Sequence, residues 1–287
     1  SATYGTSIQD KISENIKVPD NIRTDVGKIS LIASTSVISN LKGAFQYLQK
    51  YPYVCWEQKL TKGVMASHYS QLKDYLPGDL KWSDAKALPK QTLKMAVRHQ
   101  APNGGMAYYV PSNKRVSPYL SAYTAIAFNW LRNHGHKIPV AVERKLHRYL
   151  LQMVKGKALP SFYSPGMSST VRAVALAALA ENGKLTLADI KRYHKHVKRM
   201  SLFGKAHYLQ ALVRIPGTKK MQAQVKAIIQ NAAQETSGKY IFSEKINSSL
   251  YKRVLYSSLR SQCSILSSFL SHENQENVNA TDVPFKL

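Results

Sequence analysis

Acidic residues are scarce in this chain of 287 residues: 16 Asp and Glu stand against 41 Lys and Arg, giving a formal charge of +25. A balance this basic points to anionic surroundings, whether nucleic acid, lipid headgroups or acidic protein surfaces. The charges are nevertheless scattered, with denser runs only at Lys191–Arg199 and at Lys219-Lys220, and no nucleic-acid motif accompanies them. They read as a solvated basic surface, with no specific nucleic-acid partner. Cysteine is scarcer still. Cys55 and Cys263 stand alone, which excludes a disulfide framework. No apolar run reaches membrane-spanning length, and the first residues lack the charged-then-apolar pattern of a signal peptide. His-Glu-x-x-His and Cys-x-x-Cys are absent. The pairs His134/His136 and His194/His196 are spaced by two, which does not put both rings on one helix face. Neither a metal nor a cofactor is expected.

What is present is a chain of ordinary hydrophobic content, 44%, long enough to bury a core. Residues 1–34 carry short apolar runs broken by Pro19 and Gly27, and read as an extended arm. From about Ser36 apolar positions recur at three and four. The pattern predicts about ten helices, near 36–50, 55–76, 83–100, 118–134, 139–155, 168–182, 186–198, 202–214, 218–235 and 253–271, broken by Pro, Gly or Asn. Two of these are rich in small residues, Ser168–Ala180 and Ser257–Ser264, and they alternate with helices richer in Lys and Arg. Small-residue helices pack closely in an inner ring and charged ones cover them. The expected fold is all-α, an α/α toroid of stacked helical hairpins.

The stretch that carries chemistry is Tyr51-Pro52-Tyr53-Val54-Cys55-Trp56-Glu57-Gln58. Pro52 fixes its own φ and holds Tyr51 extended, so a helix starts here, with Glu57 in a first turn where acid is favoured. Residues three apart share a face, so the Cys55 sulfur and the Gln58 carboxamide can meet. A thiolate, favoured by the helix N-terminus, can attack that carboxamide, expel ammonia and leave an internal thioester, which an outside nucleophile then opens at the Gln58 carbon. Water destroys such a bond, so it needs a dry pocket, for which Tyr51, Tyr53 and Trp56 are the local walls. On the residues alone other readings stay open. Cys55 can be a buried structural thiol in a toroid that serves only as a docking or structural module. It can be a persistent nucleophile paired with a distant His, although no partner is assigned. The chain can also be a basic nucleic-acid binder.

The octet, with the preceding Leu41-Lys42-Gly43-Ala44-Phe45-Gln46-Tyr47-Leu48, resembles the thioester segment of bacterial alpha-2-macroglobulins, in which Tyr-Pro-Tyr-x-Cys-x-Glu-Gln follows a similar helix. The phrases Tyr4-Gly5-Thr6, Asp25–Ser30, Pro118–Tyr123, Arg172–Leu176 and Ser201–Ala206 are similar to phrases in the same order in that family, so the resemblance covers most of the chain. It departs at Val54, where Gly is usual, and at Trp56, where Leu is usual.

The resemblance implies a thioester between Cys55 and Gln58, supported by Glu57 and Trp56, in a protease inhibitor that is not an enzyme. Attacking proteases are captured through their lysines after bait cleavage. It implies residues 1–34 as an arm or strand of an adjoining β domain, 35–272 as the toroid and 273–287 as a return segment, with other domains of a parent chain as partners. That parent is periplasmic or secreted, in some members membrane-tethered, and serves host defence. Complement relatives carry a catalytic His in the connection matching residues 157–167. None is present here, so direct attack by amines is expected, with Phe162, Tyr163 and Met167 as pocket walls. Tyr51 matches a tyrosine that locks the thioester, although a hydrophobic staple accounts for its position equally well.

Overall fold

The computed structural model describes residues 23, 25–26, 41–76, 78–157, 159–236 and 239–276. The arm expected over 1–34 lies almost wholly outside the described residues, as do residues 277–287 of the expected return segment and the start of the first helix before Leu41.

Helices α1 (Leu41–Gln49), α2 (Trp56–Leu72), α3 (Leu88–Met95), α4 (Pro118–Asn133), α5 (Val140–Val154), α6 (Pro165–Glu181), α7 (Leu187–His194), α8 (Leu202–Val213) and α9 (Lys219–Gln230) follow one another. A hairpin of β1 (Ala233–Thr236) and β2 (Lys239–Phe242), the short α10 (Ser248–Tyr251) and the long α11 (Ser258–Glu276) complete the described chain. The caps explain several boundaries. Ser117 accepts from the Leu120 N–H, with Pro118 in the first turn, and Ser164 does the same for Met167, with Pro165 behind it. Thr186 and Asp189 form a reciprocal capping box at α7. The Ser164 cap starts α6 three residues before the expected Ser168.

Burial sorts the helices into two layers. In α4, α6 and α8 most side chains are buried, whereas α7 buries Ile190 and Tyr193 and α9 only Gln222, Val225 and Ile229. A helix apolar on all sides must be covered on all sides, and the Ala-rich α6 lies at the centre, packed on α8, α4 and α5. The inner ring runs α2, α4, α6, α8, α11, and the alternating helices cover it, so the architecture is an α/α toroid. Gly204 of α8 makes its tightest pair possible: a Cβ there would stand 3.0 Å from the Thr170 Cα and 2.9 Å from its hydroxyl. Among the described residues α11 and α2 do not pack closely on each other, so the ring is least complete there.

The hairpin is a correction. The helical pattern was expected to continue to residue 235, but α9 stops at Gln230, and Ala233 pairs with Phe242 and Thr236 with Lys239. The alternation of Tyr240, Ile241 and Phe242 is of strand type, and Phe242 is buried 6.3 Å from Phe269 while Ile241 faces out. Gln262 of α11 brackets Phe242: its Oε1 accepts from the Phe242 N–H at 3.2 Å and its Nε2 donates to the Phe242 carbonyl at 2.9 Å. At the other end, α11 continues through Glu276, so the return segment expected from residue 273 begins as helix.

At the far end of α2, one hydroxyl joins two histidines. Ser67 Oγ lies 2.9 Å from His134 Nδ1 and 2.9 Å from His136 Nε2, and the His68 ring packs edge-on against His134 at 4.7 Å. A hydroxyl has one proton, so Ser67 donates to one ring and accepts an N–H from the other, which both can satisfy when neutral. Burial lowers the pKa of all three, and for His68 and His136 the neighbouring His134 adds to it.

Two predictions follow from this packing. Gly204→Ala forces Thr170 aside at the tightest pair and lowers stability by about 1–3 kcal/mol in chemical denaturation; an unchanged midpoint would refute the close contact. For the histidines, folded pKa values lie below the unfolded value near 6.5, so their stability is full above that pH and is lost as pH falls below it. The melting temperature should drop from pH 7 to pH 5, and His134→Asn with His136→Asn should flatten that drop. A profile unchanged by the double substitution would show that the cluster does not contribute.

Candidate functional site

Cys55 is the N-cap of α2, with φ −67° and ψ 164°, and Gln58 is the third residue of the helix. The two residues cap the helix reciprocally. The Gln58 backbone N–H points to the Cys55 sulfur, and the Cys55 N–H donates to Gln58 Oε1 at 3.1 Å. This is a capping box in which sulfur replaces the usual hydroxyl, and it folds the carboxamide back over the first turn on the thiol's side. The acidic Glu57 between them suits the positive helix end.

The turn that holds this helix start comes from residues 100–108. The Trp56 N–H donates to the Tyr108 carbonyl at 2.8 Å, and Gln100 pairs with Met106 across the turn. Gln100 Nε2 donates to the Gly104 carbonyl at 3.0 Å and to the Val142 carbonyl at 2.8 Å, tying the turn to α5. Gly104 has φ 91°, and a Cβ there would fall 2.3 Å from the Lys145 carbonyl oxygen, so this position requires glycine. Trp56 itself is fully buried. Its indole N–H donates to Thr124 of α4 at 2.9 Å, and its ring stacks on His99 at 5.2 Å.

Around the thiol the surroundings are poorly hydrated. Cys55 is 5% exposed, and burial, the largest influence, pushes its pKa up, with the Glu57 charge adding; the Gln58 and Glu57 N–H groups oppose this. The thiolate expected from the helix N-terminus is therefore corrected: desolvation outweighs the helix end, and the resting group is a thiol. Tyr108, pushed up to about 12 mainly by burial, is within electrostatic reach of Cys55 and Glu57, and its hydroxyl and that of Tyr163 both lie near Ser117. Glu57 Oε1 accepts from Thr61 Oγ1 at 3.0 Å. Thr61 then has only an acceptor left for the Tyr123 hydroxyl, 2.7 Å away, so the chain of donation runs Tyr123 to Thr61 to Glu57.

The expected walls divide. Tyr163 is buried and joins the site through Ser117 and Tyr108. Phe162 is half exposed, with the Arg253 guanidinium 4.6 Å above its ring, and Met167 is fully buried in α6. Tyr53 is 64% exposed, too open to keep water from a bond. Tyr51 lies between Tyr47 and Tyr53, with ring centres at 5.2 and 5.3 Å, on an open groove that Lys50 and Gln46 also line. Trp56 forms the floor beneath the site rather than a wall over it. Tyr108, Ser117 and Tyr123 were missed. Each lies 53 or more positions beyond Cys55 in the sequence, and only the turn and the α2–α4 contact bring them close.

No protein-family model matches this chain, and no curated protein matches it in sequence. Solved structures do match. The native conformation of Escherichia coli alpha-2-macroglobulin superposes with a TM-score of 0.68 and 18% identity over 86% of this chain and 15% of that one. Salmonella alpha-2-macroglobulin reacted with methylamine gives 0.69 and 20% identity over 85% and 15%. The fold is that of a region of bacterial alpha-2-macroglobulins. A crystallised C-terminal portion of the Escherichia coli protein gives 0.67 and 19% identity, with 86% of this chain and 37% of that portion covered. This chain thus spans a minor part of each alpha-2-macroglobulin it matches.

The buried cap predicts slow thiol chemistry. In a Gln58→Ala chain, which lacks the carboxamide, iodoacetamide at pH 7 should label the exposed Cys263 roughly tenfold faster than Cys55. Equal rates would mean that Cys55 is neither shielded nor raised in pKa.

Proposed function

We propose that this chain is the thioester-containing domain of an alpha-2-macroglobulin-like protease inhibitor, and that Cys55 and Gln58 form its internal thioester. The observation that carries this is the reciprocal cap, which sets sulfur and carboxamide together at the first turn of α2 on a fold shared with bacterial alpha-2-macroglobulins. Ring closure joins Cys55 Sγ to the Gln58 side-chain carbonyl carbon and releases ammonia, which carries away the thiol proton. As the sulfur adds, charge develops on Gln58 Oε1, where the Cys55 N–H already donates. That bond acts as an oxyanion donor in place before reaction. The activated acyl group then lies over a floor made by Trp56, with the neutral phenols of Tyr108 and Tyr163 limiting water on one side.

Opening runs the other way. An amine attacks the Gln58 carbonyl carbon, an amide forms, and Cys55 departs as a thiol that its surroundings favour in the protonated state. The reaction happens once per chain, so the domain is a stoichiometric trap rather than a catalyst. With no histidine in residues 157–167 to capture the acyl group, protein lysines attack directly. In the intact parent, periplasmic or secreted, cleavage of a bait segment exposes the bond and the attacking protease is tethered. The other domains of the parent, the adjoining β domain among them, provide the trigger. The solved Salmonella structure reacted with methylamine supports a small amine as the probe.

The test is the intact mass before and after methylamine, with free thiols counted. The fresh chain should be one ammonia lighter than its sequence, then gain one methylamine and expose one new thiol. An unmodified mass with Cys55 already titrating as a thiol would leave the chain a docking or structural toroid and overturn the proposal.

A further inference from the structure

A cleft of about 430 Å³ runs along the middle of the toroid between α4, α6, α8 and α11, with neither Cys55 nor Gln58 in its lining. It falls within the size range of small-molecule sites. One end lies by the first turns of α8 and α11 and the second turn of α4, through Phe203, Arg260 and Tyr123, and the other by the C-terminal ends of α4, α6 and α8, through Asn133, Glu181 and Arg214. At the latter end Arg214 pairs with Glu181 at 3.2 Å, and Asn133 donates to the same carboxylate at 3.0 Å, so those charges are satisfied.

The first end is not satisfied. Arg260 is sandwiched between the Tyr119 ring at 5.0 Å and the Phe203 ring at 4.4 Å, and its Nη1 donates to the Val254 and Leu255 carbonyls. Among the described residues no carboxylate lies within ion-pair distance of it; Glu57 acts on it only from farther away. Burial lowers its pKa to about 10, so it stays a cation at neutral pH. On the other side of Phe203, edge to face at 4.6 Å, is His207, 7% exposed and lining the same cleft, with its Nδ1 lacking a hydrogen-bond partner. Three helix N-termini add positive potential here. A desolvated guanidinium with no carboxylate partner, and an imidazole that pairs with Gln210 but has one ring nitrogen unused, face a cleft whose walls carry Ile126, Val174, Ala177 and Trp130 beside the serine hydroxyls of α11; they fit a carboxylate on a largely apolar body.

We propose that this cleft binds a small organic carboxylate, held by the Arg260 guanidinium and the His207 imidazole with its apolar part among the inner helices. Binding there does not require the Cys55–Gln58 bond to be formed, although Tyr123 and the Glu57 charge connect the cleft to that site. Cys263 also lines the cleft and is exposed, so its alkylation reports occupancy.

In the Cys55→Ala chain, which leaves one thiol, the rate of Cys263 alkylation by uncharged iodoacetamide would be followed against phenylacetate and against neutral phenylacetamide. Phenylacetate should slow labelling at least fivefold, with half-protection at ~1 mM or below, and phenylacetamide should not. His207→Phe and Arg260→Lys, the milder changes, should each raise the half-protection concentration several-fold. Arg260→Gln should abolish protection where circular dichroism shows the fold retained. Equal protection by acid and amide, no protection by either, or protection indifferent to both mild variants would overturn the proposal.

Discussion

One buried indole sets the position of the helix start at which Cys55 and Gln58 meet. Trp56 is the first residue of α2, and its ring binds Thr124 of α4 and stacks on His99, while its own N–H is taken by Tyr108. Burying a side chain of this size is worth about 3 kcal/mol, and the two hydrogen bonds make that burial directional. Rotation of α2 about its axis would break all three contacts at once. Cys55 and Glu57, its immediate neighbours, are consequently held in register with the turn at residues 100–108 and with the Tyr123–Thr61 donor chain. The indole N–H thus adds a polar tether to α4 that an aliphatic side chain at this position cannot supply.

The toroid was legible in the sequence because its determinants are local. Small-residue runs such as Ser168–Ala180 cannot cover a charged surface, and their burial in α6 follows from composition and periodicity. The Cys55–Gln58 relation was legible for the same reason, since three residues and a helix start fix it. What escaped was set by distant contacts. The β1–β2 hairpin depends on Gln262, twenty positions away, offering its amide to Phe242 as a neighbouring strand would. Tyr108 reaches the thiol only because the turn at Gly104 returns the chain. The state of the thiol itself was misjudged: a helix N-terminus favours the thiolate in water, but an almost fully buried sulfur is ruled by desolvation.

The basic charge acquires a second meaning in this fold. The inner helices run parallel, as the grouping of their first and last turns along the cleft requires, so their positive ends gather on one face of the toroid, which includes the start of α2. Helix dipoles and Arg260 there act in the same sense, and Glu57 is the acidic group placed among them. The charge is thus arranged by the architecture as well as by composition.

A sulfur cap also has a mechanical side. In an ordinary capping box the side chains that end a helix are inert, and the helix end is as permanent as the sequence. At α2 the same atoms that terminate the helix are the ones able to change their covalent partners. Any reaction at the Cys55 sulfur or the Gln58 carboxamide alters which backbone amides of the first turn are satisfied. The chemical state of two side chains is thereby written into the tightness of a helix end, where neighbouring structure can sense it without touching the reacting atoms.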